Sequence, residues 1–311
     1  MLDDDIEAVL AGMLAAPGPA AHELPIEQVR VIQAIEAAEL SGEGEPVAEV
    51  RDLAIPGAAG EIPVRAYRPE EAGGLPVLVW LHGGGWAVGT LDSFDTPMRA
   101  LANASGALVV SVDYRLAPEH PFPAAVEDTL AAVRWVAANA GELGGDPERL
   151  AVGGDSAGGN LATVAARRLR DELDLRLQVL VYPVTDAGIN TPSYRAFSAR
   201  YGLTAATMRR YWELYMDGGD ASHPDASPLQ ATDLAGMAPA FVLLADHDVL
   251  LDEGRAYAEA MERAGVQVTV RTQPGTIHGF LRWLKATDVA REGIEAVAGA
   301  LRSAFQLGAP L

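Results

Sequence analysis

The chain has 311 residues, 49% of them apolar, no cysteine and a formal net charge of −20. That length and apolar content point to one large domain with an appended piece, and the missing cysteine removes disulfides, thiolate metal sites and thiol nucleophiles. A pI near 4.6 argues against nucleic acid and anionic membrane surfaces, which as polyanions would be repelled, and favours neutral substrates.

The opening MLDDDIEAVL is acidic where a secretory leader would be basic, and no apolar run approaches the roughly 18 residues of a membrane span. The expectation is a cytoplasmic protein without stable membrane association. Ile6, Val9, Leu10, Met13 and Leu14 recur at helical spacing, so the first segment reads as an amphipathic helix that needs a surface to cover. A second helix over residues 25–40 leads into SGEGEP at 41–46, a linker. Residues 1–46 are therefore an N-terminal helical cap segment and linker, and 47–311 the main domain.

From residue 47 onward, short β-branched runs alternate with helical patterns. Strands are expected over 47–55, 62–68, 76–81, 107–113, 149–153, 177–182, 240–245 and 266–272. Such alternation predicts a mainly parallel eight-stranded sheet flanked by helices, an α/β fold. The first two strands, joined around Pro56-Gly57 with no helix between them, should pair antiparallel at one edge. The long stretch after residue 182 breaks the rhythm. It holds a helix capped by Thr204 and carrying Met208, Tyr211, Trp212 and Tyr215, and residues at about 186–225 read as a cap insertion. Together with the N-terminal helices it could close over a pocket as a lid; the plainer alternative is that it pads the core. There is no internal repeat and no low-complexity tract.

Between the expected strand 149–153 and a helix-like run stands GGDSAGGNLA, residues 153–162. Four glycines bring a strand no packing and cost backbone entropy. Gly154-Asp155-Ser156-Ala157-Gly158 fits G-x-S-x-G in the strand-turn-helix setting that a nucleophile elbow requires, where small flanks let Oγ point out of the sheet. A serine hydroxyl is neutral at pH 7 and needs a base held by a carboxylate. Of the six histidines, His22, His82 and His120 precede the serine and His223 lies in the insertion, leaving His247 and His278. His278, in PGTIHGF after the last strand, is placed to carry an imidazole back over the sheet, whereas His247 sits where the acid is expected. That acid comes from ADHDVLLDEG at 245–254. Asp252 reads as a cap or first-turn acid of the next helix, which narrows the choice to Asp246 or Asp248. His82-Gly83-Gly84-Gly85-Trp86, after the strand 76–81, offers consecutive unshielded amides for an oxyanion, and the amide of Ala157 should complete the hole. Which of Gly83, Gly84 and Gly85 donate is open.

HGGGW at 82–86, DYRLAPEHPFPA at 113–124, GDSAGG at 154–159, DVLLDEG at 248–254 and His278-Gly279-Phe280 together resemble the hormone-sensitive-lipase-like family of α/β-hydrolases, in its bacterial carboxylesterase branch. The resemblance implies Ser156 as nucleophile, His278 as base, Asp248 as orienting carboxylate, and a cap made of the N-terminal helices and the insertion. Trp86, Met208, Tyr211 and Trp212 are then expected to contact substrate. The implied activity is a serine carboxylesterase acting on short- to medium-chain esters through an acyl-enzyme, with no metal, no cofactor and no nucleic-acid partner; a homodimer is the assembly allowed for. The rivals are an amidase or arylformamidase on the same triad and a non-catalytic ligand receptor, which an intact His278 disfavours.

Overall fold

The computed structural model describes residues 1–15 and 18–306. Residues 16 and 17 of the expected cap segment and 307–311 at the end of the main domain lie outside the described residues. The strands are β1 (Glu49–Gly57), β2 (Gly60–Arg68), β3 (Leu75–Leu81), β4 (Leu108–Val112), β5 (Gly145–Asp155), β6 (Leu175–Val181), β7 (Ala240–His247) and β8 (Val268–Ile277). They form one sheet in the order β1-β2-β4-β3-β5-β6-β7-β8. β1 and β2 pair antiparallel, β2 meets β4 antiparallel, and every later pairing is parallel. This is the α/β-hydrolase fold, with helices on both faces and a helical cap.

Alternation along β3 shows why its whole run is apolar. Val77, Val79 and Leu81 enter one core cluster, while Leu78 and Trp80 enter the other on the opposite face. A strand buried on both faces cannot afford a polar side. The helices that cover the sheet are α3 (Asp95–Ser105), α4 (Ala124–Asn139), α5 (Ala157–Arg168), α8 (Leu251–Arg263) and α9 (Asp288–Gln306).

Strand ends mostly fall within two residues of the sequence expectation, and three of the differences have a physical reading. Pro56 still pairs with Glu61, so the first hairpin turns at Ala58-Ala59. β5 begins at Gly145, ahead of the apolar run, after an irregular register against β3. β8 continues through Pro274 to Ile277, because proline is tolerated on an edge strand that has no outer neighbour to receive its missing N–H.

Four helices stand outside the regular alternation of strand and helix. α1 (Asp4–Ala15) and α2 (Ile26–Ser41) come from the N-terminus, and α6 (Pro192–Phe197) and α7 (Ala205–Met216) from the insertion after β6. α1 docks through Ile6 and Leu10, which join the cluster containing Trp80, Ile277 and Phe280, and the Asp3 amide donates to the Gly275 carbonyl at 3.0 Å. Leu14 does not belong to that buried stripe; it is 61% exposed, because the helix has passed beyond the surface that Ile6 and Leu10 cover. α2 spans the gap to the insertion: Ile26 and Val29 share a core cluster with Tyr211 and Trp212.

The far end of the insertion is fastened by charge. Asp225 pairs with Arg167 and Arg168 of α5, and Arg167 also reaches Asp233 at 2.7 Å. Both Asp225 and Arg167 are buried, and removing one partner of a buried pair leaves the other desolvated. Asp225→Ala is expected to lower unfolding stability by about 3 kcal/mol, read as a shifted urea midpoint at an unchanged slope.

Candidate active site

β5 delivers the serine. Ser156 has φ 57° and ψ −119°, a conformation that side chains with a Cβ avoid, and α5 starts at the next residue. Its amide donates to Val181 at 2.8 Å, and its carbonyl accepts the amides of Asn160 at 3.1 Å and Val184 at 3.2 Å. The strained backbone is therefore held from both sides. The hydroxyl is left to face a loop on the far side of the sheet end.

That loop, after β8, carries His278. Its Nε2 stands 2.9 Å from Ser156 Oγ and its Nδ1 2.7 Å from Asp248 Oδ2. The network assigns the proton to Nδ1, donated to the carboxylate, so that Nε2 accepts from the serine. Asp248 is buried, with Oδ1 accepting the Leu250 amide at 3.0 Å. The ring of Tyr182 packs 4.7 Å from the imidazole. The geometry thus separates the two acids that spacing alone left open. Asp246 points the other way: its Oδ1 accepts the Thr276 amide at 2.9 Å, its Oδ2 the Gly275 amide at 3.0 Å, and His247 Nδ1 lies 2.7 Å from Oδ1. It braces the turn that precedes His278. Asp252 lies in the first turn of α8 and is no N-cap; its Oδ2 accepts the Ser193 amide of α6 at 2.7 Å.

The glycine loop folds against the elbow. Of its three glycines, Gly83 is not free to donate, because its amide is bonded to Asp155 Oδ1 at 2.9 Å. The set therefore narrows to Gly84 and Gly85, with Ala157 at the start of α5. Gly84 at φ 125° and Gly85 at φ 58° adopt backbones that favour glycine. A Cβ on Gly85 would stand 2.3 Å from the Tyr211 ring, so that tyrosine lies directly on the loop. Outside anchors fix the rest. Tyr114 donates its hydroxyl to the His82 carbonyl at 2.7 Å, and Arg30 Nε donates to the Ala87 carbonyl at 2.8 Å.

The four expected substrate contacts are all buried. Trp86 stacks on Tyr215 at 4.1 Å and lies 4.7 Å from Trp212, while Met208 joins the same cluster. Tyr211 packs against the glycine loop at Gly85. Sequence reasoning missed Asp155, Arg30 and the bracing role of Asp246. The segment DYRLAPEH carried a signal: Tyr114 and Glu119 in it serve the loop, the latter by pairing with Arg30 at 2.6 Å. No group of three or more His, Asp or Glu side chains suited to a metal occurs among the described residues, and no helix there is long and apolar enough to cross a membrane.

Comparison with known proteins supplies the context. The family model described as alpha/beta hydrolase fold matches residues 78–282. The chain is 43% identical over 252 residues to the carboxylesterase NlhH of Mycobacterium tuberculosis, covering 79% of each chain. It is 39% identical over 305 residues to the ethyl acetate hydrolase of Pseudomonas putida, covering 96% of each. Among solved structures it superposes with a TM-score of 0.94 on an ester hydrolase from the metagenome of Lake Arreo, complexed with a bipyridine phosphonate derivative, at 41% identity and covering 98% of this chain and 100% of that one.

His82 is fully enclosed, stacked on Tyr114 at 4.4 Å, with Nδ1 donating to the Gly83 carbonyl at 2.8 Å. Burial pushes its imidazole down to about 4 from 6.5. The folded pKa is depressed, so the unfolded chain takes a proton that the folded chain refuses. The stability linked to this group is complete above pH 6.5 and is lost as pH falls towards about 4. A loss of about 3 kcal/mol across that window is expected from this residue. Denaturant titrations of wild type and His82→Gln at several pH values check it: the variant's stability should vary less with pH there.

Proposed function

The chain belongs to the alpha/beta-hydrolase family and is a serine carboxylic ester hydrolase related to bacterial and archaeal carboxylesterases, and from that premise we propose that Ser156, His278 and Asp248 are its catalytic triad. The observation that supports this most is the unbroken pair of hydrogen bonds from Asp248 through His278 to Ser156, at 2.7 and 2.9 Å. His278 takes the proton as Ser156 Oγ attacks the ester carbonyl, and Asp248 holds the imidazole and stabilises the imidazolium. The amides of Gly84, Gly85 and Ala157 receive the oxyanion of the tetrahedral intermediate. Collapse expels the alcohol with the proton from His278 and leaves an acyl-serine. Water, deprotonated by His278, then attacks that ester and restores the serine.

The finer placement is in the bacterial carboxylesterase branch of the hormone-sensitive-lipase-like family, with short- to medium-chain acyl esters as substrates. Residues 1–46 and the insertion at about 186–225 are the cap. Trp86, Met208, Tyr211 and Trp212 are proposed as its substrate-facing wall, with Tyr211 foremost because its ring rests on Gly85.

Ser156→Ala and His278→Ala are each expected to abolish turnover, with the double variant little worse than either single one because the triad acts as a unit. Asp248→Asn should lower kcat by up to about 10⁴-fold, whereas Asp246→Asn should cost far less. Rates on p-nitrophenyl esters check this, and an organophosphate should label Ser156 in peptide mass mapping. The reverse ranking of the two aspartates would overturn the assignment of the acid. For the cap, Tyr211→Ala should shift the ratio of butyrate to decanoate rates, while Trp212→Ala, whose buried ring packs at an angle 4.7 Å from that of Trp86, should lower the melting temperature with a smaller shift.

A further inference from the structure

A cleft of about 300 Å³ opens between α2, the loop that follows the HGGGW segment, and residues 116–120. Two arginines line it, and their circumstances differ. Arg30 is satisfied: its guanidinium forks onto Glu119 at 2.6 and 2.7 Å and also donates to the Ala117 and Ala87 carbonyls. This pairing holds the Glu119 carboxyl down at about 2, so the two charges cancel.

Arg282 has no such partner. Among the described residues its guanidinium makes no hydrogen bond and no ion pair, and its Nε is buried without an acceptor. It lies on the face of Phe94, 5.2 Å from the ring centre. Its backbone is fixed by the 3₁₀ turn Phe280–Arg282 and by Ser41, whose hydroxyl donates to the Arg282 carbonyl at 2.6 Å. A Cβ on Gly279, the residue after His278, would stand 3.5 Å from Arg282 Nη2. The guanidinium is therefore beside the loop of the proposed base. Its field favours the charged form of Asp155, the residue before Ser156. Glu36 of α2 is raised by burial, with the charge of Arg282 working against that, and forms no ion pair with it.

The Nε of this half-buried guanidinium has lost water contact that nothing in the protein replaces, and the fork of donors suits a carboxylate in bidentate geometry. In a chain of net charge −20, a cation without an ion-pair partner beside the loop of the proposed base is a local attraction against a repulsive background. We propose that Arg282 and this cleft form a subsite for a carboxylate carried by the ester substrate, so that the enzyme favours esters bearing one acidic group over their neutral counterparts. The proposal rests on Ser156 being the nucleophile of the reading above. It also modifies the expectation from net charge, which favoured neutral substrates throughout.

The test is a ratio of kcat/KM values measured on the full-length protein. On the alcohol side the pair is 4-acetoxybenzoate against 4-acetoxybenzamide; on the acyl side it is 4-nitrophenyl hydrogen glutarate against 4-nitrophenyl pentanoate. In at least one pair, Arg282→Gln is expected to lower the acid-to-neutral ratio by about tenfold or more, the scale of one hydrogen bond to a charged group. Arg282→Lys, which keeps the charge, should retain part of it. The wild-type ratio should also fall as salt rises from about 0.01 M to about 1 M, where the screening length shrinks from about 30 to about 3 Å. The pair that responds tells which side of the ester enters the cleft. Ratios unmoved by Arg282→Gln in both pairs, in a variant with wild-type circular dichroism and melting, would leave Arg282 as a structural partner of Phe94 and overturn the subsite. If instead Ser156→Ala retained turnover of the neutral esters, the failure would lie in the nucleophile assignment.

Discussion

The first turn of α5 passes so close to the end of β3 that a Cβ on Gly158 would stand 1.9 Å from the Leu81 carbonyl oxygen. Gly154 is similarly hemmed in, with Gly158 backbone atoms 2.4 Å from where its Cβ would be. These approaches bring two chain segments that are distant in sequence, the serine turn and the glycine loop, into one corner at the C-terminal ends of neighbouring strands. Such ends are where open α/β sheets bind ligands. The positive φ of Ser156 is the backbone cost of entering a helix at once after the strand. The Ser156 amide donating to Val181 of β6, and its carbonyl accepting the Val184 amide of the following loop, offset that cost.

Around this corner the loops are tied by carboxylates that accept backbone amides. Asp155 accepts from Gly83, Asp248 from Leu250, Asp246 from Gly275 and Thr276, and Glu253 from Thr185 and Asp186. None of the four pairs with an arginine or lysine among the described residues. Loop amides at strand ends have no ladder partner, and a buried one left unbonded is costly. A carboxylate on the adjacent segment meets that need and fixes the loop's position in the same contact. Burial raises the pKa of Asp155 and drives Glu253 well above its ordinary value, and in each case the amides it accepts pull the other way. Rigidity here is thus obtained against desolvation, and it serves to hold donors and base in register before substrate arrives.

How much of this was legible in the chain depends on the distance over which each signal acts. The strands stood out because burial on both faces makes them continuous apolar runs, and the elbow because only glycine fits those approaches. Asp248 and Asp246 are two residues apart on the same strand end, and nothing local distinguishes a carboxylate that meets an imidazole from one that meets two amides. That choice is made by where the β8 loop returns, a tertiary fact. Gly83 was likewise indistinguishable from Gly84 and Gly85 until Asp155, 72 residues away, claimed its amide. The N-terminal stripe was readable in its period but not in its extent, since Leu14 continues the pattern past the edge of the surface that α1 covers.

The helices α2 and α7 are fastened differently from the strand-end loops. α7 meets the body through aromatic contacts, with Trp86 stacked on Tyr215 and Tyr211 lying on Gly85, and through the Tyr215 carbonyl, which accepts the Phe122 amide at 2.7 Å. α2 adds polar ties: a long contact of 3.4 Å from Gln33 to the Tyr211 hydroxyl, the Ser41 bond to the Arg282 carbonyl, the Leu40 carbonyl accepting the Lys285 and Ala286 amides at 3.0 and 3.2 Å, and Arg30. Arg30 alone grips both the glycine loop, through Ala87, and the segment 117–119. Apolar contacts are non-directional and tolerate sliding, whereas amide-to-carboxylate bonds do not. The loops that carry Ser156, His278 and Asp248 are the more rigidly fixed part of the structure, because displacing them would break several buried hydrogen bonds at once.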